Sequence, residues 1–186
     1  MSQMDPKLIA ANSECVAIHE NAPTWPHSFR REREFLRSVL PPKFTKRIEH
    51  FGSTALPNLA SKPIVDMLME IDDVSTVTET AVPVLTELGY EYFWRTTFGS
   101  IDGEPHYAWF IKHNEHGDRT HHIHMVESTF PHWDRLGFRD YLIDHPEIAE
   151  QYRQLKRELA KVHPHDRTAY TAGKSDFIAN IMRAAG

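Results

Sequence analysis

Two spacings of apolar residues divide this chain: strand-like stretches concentrated before residue 128, and helical three-to-four-residue repeats that take over after it. Cys15 to Glu20 alternates, with Val16 and Ile18 on one side, and predicts a first strand. Residues 45 to 51 and 63 to 71 predict two more, the second apolar on both faces and so expected at the centre of a sheet. Tyr90 to Arg95, His106 to His113 and Thr120 to Glu127 complete the strand set, with the polar turn HNEHGDR between the last two. Among the strands, a helix from His27 to Leu40 follows Trp25-Pro26, because proline suits a first turn and Phe29, Leu36, Val39 and Leu40 fall roughly on one face. Pro41-Pro42 ends it. A second helix, capped by Asp72 or Asp73, carries Val77, Val84, Leu85 and Leu88 and stops at Gly89. The last third predicts helices over Trp133 to Ile143, Glu147 to Val162 and Ala169 to Ala185. In the middle one, Ile148, Tyr152, Leu155, Leu159 and Val162 form one apolar stripe. The expected fold is α+β: a mixed β-sheet with helices and a helical C-terminal portion.

One position breaks the pattern. In the run IVDMLMEI, side chains alternate across the strand, so Ile64, Asp66, Leu68 and Glu70 share one face. A buried carboxylate costs several kcal/mol or more unless it is paired, hydrogen-bonded or metal-bound. Asp66 therefore needs a partner, either Lys62 or an arginine in a salt bridge, or a ligand. On the ligand reading, the Gly52-Ser53 turn offers backbone N–H groups and a hydroxyl for phosphate oxygens while the acid holds a cation against them. His122 and His124, at i and i+2, point to one side of their strand and can reach Asp66 or Glu49 if the strands are neighbours. Two imidazoles and a carboxylate suit a transition metal. With 13 histidines in the chain, chance pairs are expected, and hydrogen-bonded histidines lining a polar cleft or serving as acid–base groups are the alternatives.

The stretch IEHFGSTALPNLASKPIVDMLMEI, together with HIHMVE, FRDYL, YRQLKREL and the spaced Tyr170, Lys174 and Phe177, resembles the GrpB family. An apolar-Gly-Ser turn followed about a dozen residues later by Asp on an apolar strand also resembles the nucleotidyltransferase superfamily related to DNA polymerase β. The resemblance runs from about Val16 to Ile181 and implies a nucleotidyltransferase-like fold that binds a nucleotide or other phosphorylated small molecule with a divalent cation. It implies Asp66 and Glu70 as catalytic acids, and Gly52, Ser53, Thr54, Lys62, Arg139, Lys156 and Lys174 as phosphate-binding positions. Ser53 and Thr54 have turn stabilisation as their simpler role. For the metal it implies Mg²⁺ or Mn²⁺ on Asp66; where a third acid might come the strand instead reads His122-Ile123-His124, and these imidazoles with Glu49, read from the residues themselves, are further candidate ligands that make Zn²⁺ an option. The chain departs from the two-ion pattern at residue 68, which is Leu where a second acid belongs, and Glu70 lies about 7 Å further along the strand. Three activities stay open: nucleotidyl or other phosphoryl transfer, a non-catalytic accessory module that binds a nucleotide or metabolite, and a metal-dependent hydrolase or lyase using Asp66, His122 and His124.

Composition narrows the partners. The chain has 186 residues, a formal charge of −5 and a single cysteine, Cys15, expected to be an inert buried thiol. That charge leaves no broad nucleic-acid surface, and neither a secretory leader nor a bilayer-length apolar run is legible, so a cytoplasmic protein without a membrane partner is expected. Residues 1–14 read as a tail and 15–186 as a single domain. Ala172-Gly173-Lys174-Ser175 imitates the end of a phosphate loop, but residue 168 is Thr and a helix precedes it, so it is not one. Trp25 and Trp94 are expected in the core or a pocket wall.

Overall fold

A five-stranded mixed sheet carries the fold. The computed structural model describes residues 16–20, 22–96 and 106–185. The expected tail and Cys15 lie outside these residues. The strands are β1 (Ile48–Phe51), β2 (Val65–Ile71), β3 (Glu91–Thr96), β4 (His106–His113) and β5 (Arg119–Glu127), in the spatial order β1-β2-β5-β4-β3. Only β2 and β5 run parallel; every other pair is antiparallel. β2 and β5 are thus interior strands with both faces covered, which is why β2 is apolar on both faces but for Asp66 and Glu70.

The first face of the sheet is the main core. Met67, Met69, Ile123, Met125, Ala108 and Phe110 pack there against α1 (Thr24–Val39) and α2 (Val77–Glu87), which contribute Trp25, Phe29, Leu36, Val77, Ala81 and Leu85. One polar group is built into this core: Glu32 of α1, 3% exposed, accepts hydrogen bonds from the Tyr90 hydroxyl and from Lys112 Nζ at 2.6 Å. The opposite face is lined by Phe51, Leu68, Val126, Tyr107 and Trp109 and is covered by a short turn, Pro131–Asp134, and the start of α3 (Arg135–Asp144). Beyond it α4 (Pro146–Val162), α5 (Arg167–Ala172) and α6 (Ser175–Ala185) pack with α3 around Leu56, Leu59, Phe138 and Tyr152. This is the α+β architecture with a helical C-terminal portion. No helix among the described residues is long and apolar enough to cross a membrane.

Several boundaries differ from the expectations for local physical reasons. Of the first expected strand the described residues keep one bridge, His19 to Ser61, and Val16 N donates instead to Pro164 O at 2.8 Å. Asp73 does cap the second helix, accepting from Ser75 N at 2.8 Å, but through a single turn that precedes α2. Leu88 and Val162, expected on buried stripes, are 45% and 68% exposed because each lies at or beyond the last turn of its helix. Trp94 is also exposed and stacks on His106, whereas Trp25 is in the core as expected. The final expected helix is broken in two at Gly173-Lys174. A Cβ at Gly173 would fall 2.5 Å from Leu159 Cδ2, so a larger residue here would require the Leu159 side chain on α4 to move.

A polar clamp joins β1 to the entry of β2. His50 Nε2 lies 3.0 Å from Thr54 Oγ1, and that hydroxyl donates to Ile64 O at 3.2 Å. Since the single hydroxyl hydrogen goes to Ile64, His50 must be the donor to Thr54, with its ring stacked 4.8 Å from Phe29. Thr54→Val keeps the shape but orphans both groups, and should lower unfolding free energy by about 1–3 kcal/mol in denaturant titration. An unchanged midpoint would show that the clamp contributes nothing.

Candidate functional site

The parallel register between β2 and β5 sets Asp66 directly opposite His122 and Leu68 directly opposite His124. Paired residues in neighbouring strands share a face, so one acid and two imidazoles point to the side away from the main core. His122 Nδ1 and Asp66 Oδ1 are 3.0 Å apart. One atom each from Asp66, His122 and His124 lie within 4.8 Å of one another. Both imidazoles are over nine-tenths buried, while the Asp66 side chain keeps 29% exposure, so the cluster opens to solvent on the carboxylate side.

Gly52 makes room for the acid. Its φ is +70°, a left-handed value that side chains resist, and a Cβ there would sit 2.5 Å from Asp66 Oδ2. The turn 53–55 that follows buries Thr54 in the clamp above, and places Ser53 in hydrogen-bonding reach of the Tyr152 hydroxyl. Ser53 is half-buried beside the cleft; Thr54 has only the turn-stabilising role in view.

Electrostatics fixes the protonation pattern. Burial alone raises the Asp66 carboxyl, but the His122 hydrogen bond and the positive field of Lys62 and Arg167 outweigh it, so the net shift is downward and the group is ionised at neutral pH. Burial brings His122 down to about 4 despite its acid partner, and takes His124 well below its ordinary value. Both imidazoles are therefore neutral, the form that ligates metals. An ionised Asp66 accepts from Nδ1–H of His122, which leaves the His122 Nε2 lone pair buried and without a partner; His124 Nδ1 is in the same condition. Burial and the neighbouring cation lower Lys62 well below its ordinary range and Lys174 to about 8. Their ammonium groups stand 5.4 Å and 4.5 Å from the centre of the Tyr170 ring, one on the loop into β2 and the other in the break between α5 and α6.

Not every residue singled out in the sequence joins this group. Glu49 shares the face, opposite Leu68, but its carboxylate accepts from Arg47 Nε at 3.2 Å and Arg139 Nη1 at 3.4 Å. Arg139 in turn is held by His50 O at 2.8 Å and by Asp140 at 2.7 Å. Lys156 is 1% exposed and donates to Ala60 O at 2.5 Å and Ser61 Oγ at 3.2 Å, tying α4 to the segment before β2; burial lowers it to about 7. Glu70 lies opposite Val126, about 13 Å along β2 from Asp66 by the strand rise. The structure adds residues that the sequence did not single out. The His132 ring lies 5.6 Å from His124 and 4.8 Å from Tyr107, and Trp109 lies 5.0 Å from His122. His132 stands in a turn with no periodic signal, and Trp109 in an apolar run reads as core.

Comparison with known proteins came out consistently. The profile of the family described as "GrpB protein" matches residues 15–184. The chain is similar to "Glutamate-rich protein GrpB" of Alkalihalophilus pseudofirmus, 31% identical over 94% of this chain and 98% of that one. It is similar also to "UPF0157 protein YqkA" of Bacillus subtilis, 39% identical over 83% of this chain but only 42% of that longer protein. Among solved structures, that of "conserved protein GrpB from Enterococcus faecalis" superposes with a TM-score of 0.76 at 33% identity, over 91% of this chain and 96% of that one.

Two outcomes follow from the geometry. Gly52→Ala combines the strain of positive φ, about 1 kcal/mol, with displacement of Asp66; it should lower the unfolding free energy by at least that amount in denaturant titration, and an unchanged midpoint would show that the acid has room for a Cβ. In acid, the unfolded chain binds protons near pH 6.5 whereas folded His50, lowered to about 4 chiefly by burial, and His132, lowered to about 3, do not. Stability should therefore be lost as pH falls from about 6.5 to 4, and His50→Gln should flatten that slope by up to ~1.4 kcal/mol per pH unit. Equal slopes for the two proteins in chelator-treated buffer would contradict the assignment.

Proposed function

This chain belongs to the GrpB family, and on that footing we propose that the Asp66–His122–His124 cleft binds a nucleotide or other phosphorylated small molecule together with one divalent cation. The observation that carries the reading is the convergence of an ionised carboxylate and two neutral, buried imidazoles with unsatisfied nitrogens. Leaving such nitrogens without a partner costs about 1–3 kcal/mol each, and an ion removes that cost. Nitrogen ligands favour Mn²⁺ or Zn²⁺ over Mg²⁺.

The phosphate half of the reading rests on Lys62 and Lys174, which repel one another across Tyr170. An anion seated between them offsets that repulsion and favours the protonated form of Lys174, which burial brings to about 8, so binding at pH 8 takes up protons from the buffer. Leu68, fully buried between Glu49 and His124, leaves no second acid for a two-ion clamp. Binding without nucleotidyl transfer is therefore the favoured form, with Asp66 as metal ligand rather than as one of two catalytic acids. A metal-dependent hydrolase is the second reading, because three protein ligands leave positions for a water.

Metal analysis and calorimetry test the proposal. The wild type should bind one equivalent of Mn²⁺ or Zn²⁺, and Asp66→Ala and His124→Ala should each lose at least tenfold in affinity while retaining a cooperative melt. Undiminished binding in both variants, or none in the wild type, sinks it. Incubation with labelled ATP or CTP in the presence of Mn²⁺ should leave the nucleotide intact; release of pyrophosphate would restore transfer, and release of orthophosphate would favour hydrolysis.

A further inference from the structure

We propose that a second anion subsite, formed by Trp109 and Arg95 on the far side of His124 from Lys62 and Lys174 and bridged toward them by Arg135, makes this cleft selective for condensed phosphates over a single phosphate. The inference rests on the metal–phosphate reading above and names the class of ligand it would take.

Trp109 on β4 lies directly opposite His124 and is 5% exposed. Its Nε1–H is buried and has no acceptor among the described residues, although indole N–H groups in protein interiors normally find one. Nothing in the apolar packing explains that donor. Its ring stands 5.0 Å from His122 and 6.1 Å from His124, so the missing acceptor belongs to the same volume as the unsatisfied histidine nitrogens. Arg95, on β3 opposite Tyr107, holds its guanidinium 4.7 Å over the Trp109 ring, a placement that fixes the side chain at the rim of the sheet face. Arg135 opens α3 next to Leu136, which packs with Tyr107 and Trp109, and its exposed guanidinium acts on Tyr107, His124 and His132 as well as on Lys174. Arg135 therefore faces the same cleft as the lysine pair. Among the described residues, neither Arg95 nor Arg135 forms an ion pair.

Distance separates the two subsites. Asp66 on β2 and Trp109 on β4 are two strand spacings apart, about 10 Å, with β5 and its histidines between them. A lone orthophosphate cannot touch both walls. A chain of two or three phosphoryl groups can lie along the histidine floor, with its ends against Lys62/Lys174 and Arg95/Arg135 and the ion bound between.

The test is calorimetric titration of the full chain with orthophosphate, pyrophosphate and tripolyphosphate, each at fixed free Mn²⁺ and again in chelator. Tripolyphosphate should bind at least tenfold more tightly than orthophosphate. Arg135→Gln and Arg95→Gln should each remove most of that preference, lowering tripolyphosphate affinity at least fivefold while leaving orthophosphate and Mn²⁺ binding within twofold. Lys174→Gln should weaken all three anions. Equal affinity for the three anions, or equal losses for all of them in Arg135→Gln, overturns the subsite. Selectivity that persists in chelator with no Mn²⁺ uptake would keep the subsite and discard the metal reading, so the two fail separately. Arg135 is exposed and Arg95 half-buried over Trp109, and an unchanged melting temperature verifies that their variants are folded.

Discussion

The parallel pairing of β2 with β5 brings the Asp66 carboxylate within 3.0 Å of a buried imidazole, and the rest of the site follows from holding that charge in place. A carboxylate in the centre of a sheet is unfavourable unless the surroundings answer it. His122 answers by hydrogen bonding, Lys62 and Arg167 by field, and Gly52 by leaving out the Cβ that would otherwise occupy the acid's space. Shifting β5 by one residue would turn both histidines to the opposite face and leave the acid against Ile123, so register and chemistry are one constraint here.

The same constraint divides the two faces of the sheet. On the α1–α2 side Glu32 is satisfied by Tyr90 and Lys112, and His50 by Thr54, while His121 Nε2 is left without a partner. On the other side polar groups are left open at His122 Nε2, His124 Nδ1 and Trp109 Nε1. Native interiors rarely leave buried donors and acceptors unpaired, and the grouping of three of them on one surface is what the proposed ligand would answer. The C-terminal helices supply what the sheet cannot. The break at Gly173 turns Lys174 toward Tyr170, and the first turn of α3 presents Arg135.

What the amino-acid pattern determined by itself is what depends on neighbours in the chain. The strand and helix periods, the Asp73 cap, the apolar run of β2 and the shared face of His122 and His124 are all consequences of two- and 3.6-residue repeats, and all were legible. So was the singularity of Asp66, because a charge in that run violates the pattern around it. The GST turn and the KPIVD strand carried the family likeness for the same reason: they are contiguous.

Tertiary structure decided which of the marked residues meet. Glu49, Arg139 and Lys156 have the right chemistry but are occupied, Glu49 and Arg139 by each other, Arg139 also by His50 O and Lys156 by the Ala60–Ser61 segment, contacts made across 89 to 96 residues of chain that no local period encodes. Trp109, His132, Arg95 and Arg135 came to the cleft only through strand order and the placement of α3; in the sequence each looks like an ordinary core or surface residue. The register of a parallel pair is set by how the intervening chain packs rather than by a tight turn, and so the meeting of Asp66 with His122 belongs to the fold, while the need for some such partner belongs to the sequence.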